Sequence, residues 1–273
     1  MESIDLDEAN LAYVEQGTGD PIVFVHGGFS DLRAWASQLR AFSSNYRCIA
    51  YSLRYHYPNP WRGDGSDYTV PVHAKDLANL IERLGASPAH LVGTSYGGRI
   101  ALHLARERPE LVRTLVLAEP ALSFWIRDTP SGSAVLADLA NNYFEPGQSA
   151  IGRGDLEQAA RLFVDGVGGA GTFDTLPRDV RQRYVDNIRV QAIPASPAPF
   201  SRDDATKVRV PVLLINGERT TNIFVLVNDE LEKYLPNVER TRIPEASHLM
   251  TVTHPNEFNK VVMAFLARYR GKD

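Results

Sequence analysis

The chain of 273 residues has the length of one large domain or two small ones, and a chain of this size can bury most of its apolar surface. Its hydrophobic content of 44% and charged content of 23% are typical of soluble globular proteins, and no apolar run is long enough to span a bilayer. A net charge of −4 without a basic cluster gives no electrostatic support for a nucleic-acid or anionic-membrane partner.

The amino terminus and the cysteine content bear on the cellular compartment. Residues 1–5 are acidic and lack the charged-then-apolar pattern of a signal peptide. Cys48 is the only cysteine, so we expect neither an intrachain disulfide nor a cysteine-based metal site, and its apolar neighbours predict a small core residue. These features favour a cytoplasmic protein.

The first 120 residues alternate strand-like and helix-like runs. The predicted strands are residues 11–15, 22–25, 47–51, 89–93 and 114–118. The predicted helices are residues 32–42, 72–84 and 98–105. This alternation is typical of an α/β fold with a mostly parallel sheet flanked by helices on both faces.

The same alternation returns near the end of the chain. There the predicted elements are a strand at 210–215, a helix at 224–234, a strand at 238–243 and a helix at 261–269. Between the two regions, residues 121–206 lose the strand pattern and are rich in helix formers and glycine. We therefore predict a core of residues 1–120 and 207–273, and a helical cap of residues 121–206 over the carboxyl ends of the strands, where open α/β sheets bind ligands.

The sequence Gly-Thr-Ser-Tyr-Gly at residues 93–97 lies between a predicted strand and a predicted helix. This context is the one that a nucleophile elbow requires, with Ser95 at its apex. Both flanking glycines are expected because the turn is so tight that a Cβ at either position would strike a neighbouring element. The helix amino terminus behind Ser95 favours negative charge as it develops.

A serine hydroxyl is a weak nucleophile unless a base takes its proton. His248 is the preferred base because it follows the last predicted strand by a short loop and precedes the final helix, at the sheet edge where the elbow opens. His254 is the rival, but its neighbour Pro255 favours a surface or capping role. The histidines for which we expect packed or solvated roles are His56, His73, His90 and His103.

Acyl transfer also needs hydrogen-bond donors aimed at the oxyanion. The backbone N–H of Tyr96, the residue after the nucleophile, is one predicted donor. The second is assigned to Gly28 in the His-Gly-Gly-Phe sequence that follows the strand at 22–25, with Phe29 as its alternative. A plain turn after a strand is the competing interpretation of residues 26–29.

The strand–His-Gly-Gly unit, the strand–Gly-Thr-Ser-Tyr-Gly-Gly–helix unit and the late histidine together resemble the α/β-hydrolase fold superfamily, specifically its esterase-like branch with an inserted helical cap. Residues 20–120 and 207–270 follow the order of that core, while 121–206 correspond only to a cap. The resemblance implies a Ser-His-acid triad, hydrolysis through an acyl-enzyme, and no cofactor. No cluster of His, Cys and carboxylates has metal-ligand spacing, so we expect no metal.

The triad acid departs from the usual pattern of the superfamily. Many relatives carry Gly-Glu-x-Asp after the strand that follows the cap, whereas this chain has Thr220 in place of the aspartate. Some branches instead place the acid after the strand that follows the elbow helix, where this chain has Glu119. Burying an unpaired carboxylate is costly, so an imidazole partner would explain Glu119. We predict Glu119 as the acid, with Glu218 as its main rival and a salt bridge at the cap hinge as the competing role.

The substrate pocket is the least constrained part of the sequence. Phe29, Phe124 and Trp125 are predicted to contact substrate, whereas Tyr143 and Phe144 suit the core of the cap better. Residues 52–61 replace the short Asp-x-Arg-Gly-x-Gly turn of relatives with a longer aromatic loop. This loop either walls the pocket or packs over the sheet edge.

The leading hypothesis is a serine hydrolase of the carboxylic ester class (EC 3.1.1), acting on an ester or lactone of a small, fairly apolar molecule. A serine at the elbow argues against the dehalogenase and epoxide-hydrolase branches, which use a carboxylate there. The alternatives are a carbon–carbon hydrolase of ring-cleavage products, a cofactor-free perhydrolase, or a small-molecule receptor on a hydrolase scaffold. A polyanionic ring-cleavage product would need several cations, and nothing in the sequence brings Arg54, Arg99 and Arg127 together. The sequence carries no indication of an oligomeric state.

Overall fold

An eight-stranded sheet forms the centre of the structure, a computed structural model that describes residues 1–194 and 199–271. Its strand order is β1-β2-β4-β3-β5-β6-β7-β8. The strands are β1 (Glu2–Asp5), β2 (Asn10–Gln16), β3 (Pro21–Val25), β4 (Arg47–Tyr51), β5 (Ala89–Thr94), β6 (Val112–Ala118), β7 (Val212–Gly217) and β8 (Val238–Ile243). β2 pairs antiparallel with both of its neighbours, β1 and β4, and β3 to β8 run parallel to one another.

The parallel strands are apolar along their length because helices cover both faces of the sheet. In β3, Val23 and Val25 face one core, while Ile22 and Phe24 face the other. The α/β fold class predicted from the alternation of the elements is therefore confirmed. The short edge strand β1 is an element that the sequence analysis did not predict.

The helices that alternate with the strands divide between the two faces of the sheet. Those on one face are α2 (Val70–Arg83), α3 (Tyr96–Glu107) and α10 (Asn222–Tyr234). Those on the other face are α1 (Ala36–Phe42), α11 (Met250–Thr253) and α12 (Pro255–Leu266). The carboxyl ends of β3, β5 and β6 meet at one edge of the sheet, because these parallel strands are direct neighbours.

The chain between β6 and β7 is helical and forms no strand in its described residues. Its α-helices are α4 (Pro130–Leu139), α5 (Glu145–Gly152), α6 (Leu156–Gly168), α7 (Thr172–Thr175), α8 (Arg178–Asn187) and α9 (Arg202–Thr206). Phe163, Phe173 and Tyr184 belong to a third apolar core built mainly by this inserted segment. Within the described residues, no helix combines the length and apolar character needed to cross a bilayer.

Candidate active site

Ser95 lies at a sharp turn between β5 and α3. Its backbone has φ 51° and ψ −117°, a conformation that non-glycine residues rarely adopt. A Cβ on Gly97 would lie 2.2 Å from the carbonyl oxygen of Val25, and one on Gly93 would lie 2.8 Å from the backbone nitrogen of Gly98. Only glycine fits at these two positions, and the close approach keeps the elbow against the end of β3.

Glu119 follows the last residue of β6, and its backbone also has a positive φ, of 50°. The side chain is fully buried, and four donor groups surround its carboxylate. Oε1 accepts from the backbone N–H of Gly217 at 2.8 Å and from Nδ2 of Asn216 at 3.3 Å. Oε2 accepts from Oγ1 of Thr220 at 2.9 Å and lies 2.6 Å from Nδ1 of His248. This surrounding offsets the cost of burying the charge.

His248 lies on the loop after β8 and is 5% exposed. Its ring stacks on Phe224 with centroids 3.8 Å apart and planes within 3° of parallel. Because Glu119 accepts from Nδ1, the ring presents Nε2 as its free basic atom. His248 and Ser95 line the same small cavity, so the sheet topology brings together the predicted nucleophile, base and acid.

The rival acid and the rival base lie elsewhere. Glu218 is exposed, and its carboxylate accepts from the backbone N–H of Glu245 at 3.0 Å. His254 precedes the first residue of α12, and its Nδ1 contacts the hydroxyl of Thr253. Thr220 holds the place where the resemblance implies an aspartate, and it acts as a donor to Glu119. The sequence analysis did not foresee this hydrogen bond.

The His-Gly-Gly-Phe loop after β3 packs directly against the elbow. A Cβ on Gly27 would lie 3.5 Å from Cβ of Ser95, and one on Gly28 would lie 3.4 Å from Cβ of Tyr96. Within residues 1–194 and 199–271, the N–H groups of Gly28 and Phe29 have no acceptor. Tyr96 opens α3, where backbone N–H groups lack partners within the helix. Donors from both segments therefore border the Ser95 side chain.

Two buried histidines hold this loop in place: His26 is its first residue, and His56 contacts it from residues 52–61. Nε2 of His26 accepts from the backbone N–H of Leu53 at 3.0 Å, and Nε2 of His56 lies 3.2 Å from the Gly28 carbonyl oxygen. Burial lowers the pKa of both imidazoles. From the opposite side, Nε2 of Gln191 donates to the same Gly28 carbonyl at 3.0 Å. Leu53 and His56 thus join residues 52–61 to the His-Gly-Gly-Phe loop, and none of residues 52–61 lines the large cavity described next.

A cavity of about 260 Å³, hereafter the large cavity, opens on one side of Ser95. Apolar side chains form most of its wall, from the helices that pack on the sheet and from the inserted segment between β6 and β7. Among them are Phe29, Leu139, Phe144, Phe163 and Phe224. Arg99 is the only charged residue among the described residues that line it, and burial lowers its pKa. A cavity of this kind suits a mainly apolar ligand.

Phe124 and Trp125, for which the sequence predicts contact with substrate, are not among the described residues that line the large cavity. Trp125 is 4% exposed, its indole N–H donates to the Phe200 carbonyl at 2.5 Å, and its ring packs against Phe200 and Tyr234. Phe124 lies under the guanidinium of Arg99 and does not line the large cavity. The turn at Ser123–Trp125 directs the indole into the core, because its N–H finds a buried acceptor there. Phe29 does line the cavity.

Of the other residues considered in the sequence analysis, some line the large cavity and others do not. Phe144 lines the large cavity, whereas Tyr143 packs beside Gly166 within the inserted segment. Arg54 donates to Asp76 at 2.7 Å and does not line the large cavity. Arg127 lines a separate surface pocket. In the part of the chain that the structure describes, no group of three His, Cys, Asp or Glu residues could hold a metal ion.

The chain is similar in sequence to proteins with different activities. It is 27% identical to a Mycobacterium tuberculosis protein provisionally named a non-heme bromoperoxidase, over 94% of this chain and 98% of the relative. It is 26% identical to epoxide hydrolase 3 of Xenopus tropicalis, over 96% of this chain and 77% of the relative. These matches extend over nearly the whole chain.

The fold is also that of a known enzyme structure. A thermophilic esterase from Thermogutta terrifontis superimposes with a TM-score of 0.77 at 21% identity, covering 96% of this chain and 95% of the esterase. At this identity the likeness concerns the fold alone. The family model of the alpha/beta hydrolase fold matches residues 20–255, which include the elbow, Glu119 and His248. The chain therefore belongs to the alpha/beta hydrolase fold family and is a hydrolase-type enzyme of that fold.

Proposed function

We propose that the protein is a serine hydrolase that cleaves a carboxylic ester or lactone of a small, fairly apolar molecule through an acyl-enzyme. The observation that carries this proposal is the 2.6 Å contact between His248 Nδ1 and the buried Glu119 carboxylate, beside Ser95 on its strained turn. In this arrangement the base is held in one tautomer and its free nitrogen serves the nucleophile.

The reaction follows from the positions of these groups. Oγ of Ser95 attacks the ester carbonyl carbon as Nε2 of His248 takes the hydroxyl proton, and Glu119 stabilises the imidazolium. The N–H groups of Tyr96 and of Gly28 or Phe29 donate to the oxyanion. The imidazolium then gives its proton to the leaving alcohol oxygen. A water molecule attacks the acyl-enzyme with the same base, so that one ester and one water give one acid and one alcohol.

The character of the large cavity supports an uncharged or singly charged apolar substrate. Arg99 is the only charged residue among its described lining residues, and a polyanionic ring-cleavage product would leave further charges unpaired. Carbon–carbon hydrolysis is therefore the weaker candidate. A serine in place of the carboxylate nucleophile disfavours epoxide opening, although the chain is similar to an epoxide hydrolase. We further propose that residues 121–206 act as the cap that sets substrate choice and that the protein works in the cytoplasm.

A perhydrolase is the second candidate, and the similarity to a provisionally named bromoperoxidase supports it. In that reaction hydrogen peroxide replaces water as the acceptor, so the acyl-enzyme yields a peracid and free Ser95. The triad and oxyanion donors would be the same. Adding peroxide to an ester assay and measuring peracid separates the two acceptors.

Hydrolysis of p-nitrophenyl esters of graded acyl length tests the proposed function. We expect turnover by the native protein, none by Ser95→Ala, and no effect of chelators. Appreciable turnover by purified Ser95→Ala would mean that the nucleophile is another residue. Tight ligand binding without turnover in the native protein would favour a receptor.

A further inference from the structure

Ser95 separates two cavities of very different size. The large cavity has a volume of about 260 Å³, and a second cavity of about 40 Å³, hereafter the small cavity, lies on the other side. Gly28, Phe29 and Ser95 line both. A carbonyl carbon attacked by Ser95 therefore lies where the two cavities meet, with one half of the ester directed into each.

The position of the base decides which half enters which cavity. The imidazolium must hand its proton to the leaving alcohol oxygen, so the alcohol half lies on the side of His248. His248 lines the small cavity and is not among the residues lining the large one. The alcohol half therefore enters the small cavity, and the acyl half enters the large one.

The size of the small cavity limits the alcohol. A water molecule needs about 10–15 Å³ of cavity volume of this kind, so 40 Å³ has room for roughly three atoms of that size. Methanol and ethanol fit this space, whereas a longer alcohol extends beyond it. Leu249, Thr251 and Val252 line this cavity together with His248.

The small cavity also has a polar group suited to a hydroxylic occupant. Ser30 lines it and is 7% exposed, and its hydroxyl has no hydrogen-bond partner within the described residues. A buried hydroxyl without a partner is costly unless a water or ligand completes it. A departing alcohol, and then the water that attacks the acyl-enzyme, would each supply that partner.

We infer that the enzyme prefers esters of a bulky apolar acid with a one- or two-carbon alcohol, and that the small cavity admits first the departing alcohol and then the hydrolytic water. This inference rests on the proposed serine hydrolase function and adds the direction of the ester to it. The bond broken is the acyl–oxygen bond, and the proton on the departing alcohol is the one taken from Ser95.

A pair of isomeric reversed esters tests the direction. Methyl phenylbutanoate and phenylpropyl acetate have the same atoms and the same phenyl group, but opposite ester orientation. We expect kcat/KM to be higher for methyl phenylbutanoate by about tenfold or more, a usual effect of misfit in an apolar pocket. Butyl phenylbutanoate should be hydrolysed correspondingly more slowly than the methyl ester.

Two matched valine-to-alanine substitutions test which cavity holds which half of the ester. Val252 lines the small cavity and Val227 the large one. Val252→Ala should raise the rate of the butyl ester relative to the methyl ester, and Val227→Ala should leave this ratio unchanged while altering the preference for acyl length. Ser30→Ala should lower kcat for the methyl ester with little change in the rate at which a fluorophosphonate labels Ser95.

The outcomes separate the inference from the proposed function. Equal rates for the two isomers, or faster hydrolysis of phenylpropyl acetate, would overturn the inference while leaving a Ser95-dependent esterase in place. A lower butyl-to-methyl ratio in Val252→Ala would also overturn it. If neither isomer nor any p-nitrophenyl ester were cleaved and Ser95 were not labelled, the proposed function would fail and the inference with it.

Discussion

The hydroxyl of Thr220 donates a 2.9 Å hydrogen bond to Oε2 of Glu119. The same carboxylate oxygen lies 2.6 Å from Nδ1 of His248, so hydroxyl and imidazole share one acceptor atom. The carboxylate comes from the end of β6 and the supporting donor from the turn after β7, where the resemblance to α/β-hydrolases implies the acid itself. In the proposed triad a carboxylate therefore still contacts the imidazole, but it follows β6 instead of β7.

The substitution Glu119→Gln should reduce kcat/KM by on the order of a thousandfold. It preserves the shape of the side chain but removes the charge that stabilises the imidazolium, and it can present an amide N–H to the imidazole. Rates with a p-nitrophenyl ester measure the loss. The matched control is Glu218→Gln at the exposed rival position, which should change the rate little. A reversed pair of results would assign the acid to the turn after β7.

The substitution Thr220→Val should lower kcat about tenfold and leave KM nearly unchanged. It removes one hydrogen bond to a buried carboxylate, which corresponds to about 1.4 kcal/mol and lies near the low end for bonds to charged groups. Thr220→Ser keeps the hydroxyl and should retain most of the activity. Equal losses in both variants would show that the methyl group, through packing, matters more than the donor.

The substitution Gly97→Ala should destabilise the protein by about 3 kcal/mol. The added Cβ would lie 2.2 Å from the Val25 carbonyl oxygen and 2.5 Å from that of His26, so the elbow and the end of β3 would have to separate. Gly152→Ala is the control, because a Cβ there meets nothing within 4 Å. Urea unfolding of both variants measures the difference. A stability of Gly97→Ala equal to that of Gly152→Ala would contradict the packing described for the elbow.

Stability should fall as the pH is lowered from about 6.5 towards 4. His90 is fully buried, and burial lowers its pKa to about 4 from the ordinary value of 6.5. Between these two values the unfolded chain binds a proton that the folded protein excludes, so folding stability decreases by up to about 1.4 kcal/mol per pH unit. Above pH 6.5 both states are neutral at this residue, and no loss is expected.

His90→Gln isolates this contribution, since glutamine does not titrate. Between pH 7 and pH 5, the free energy of unfolding should fall by about 2 kcal/mol less in His90→Gln than in the native protein. Other buried histidines with lowered pKa values, such as His26 and His73, titrate equally in both proteins. The same pH dependence in both would mean that His90 accepts a proton in the folded state.

Local sequence patterns were sufficient to predict the parallel sheet and the tight turn at Ser95. The parallel sheet follows from the length and apolar character of its strands, and the two glycines beside Ser95 follow from the geometry of a tight turn. The proximity of Glu119 and His248 could be anticipated because both follow strands whose carboxyl ends meet at one sheet edge.

The walls of the cavities could not be predicted in the same way. Trp125 and Phe144 are both aromatic residues of the inserted segment, yet one packs into the core and the other lines the large cavity. The difference depends on which distant residues they meet: Trp125 finds the Phe200 carbonyl, and Phe144 stacks on Phe163. Such contacts are set by how the helices pack, and residue periodicity does not encode them.

The central claim is that the Glu119–His248 pair activates Ser95 as a nucleophile. Its most direct measurement is the reaction with a fluorophosphonate probe, with the modified residue identified by peptide mass spectrometry. We predict rapid labelling at Ser95 in the native protein, strongly slowed labelling in His248→Gln, and none at this peptide in Ser95→Ala. Absence of labelling in the folded native protein, or labelling at a different serine, would contradict the account.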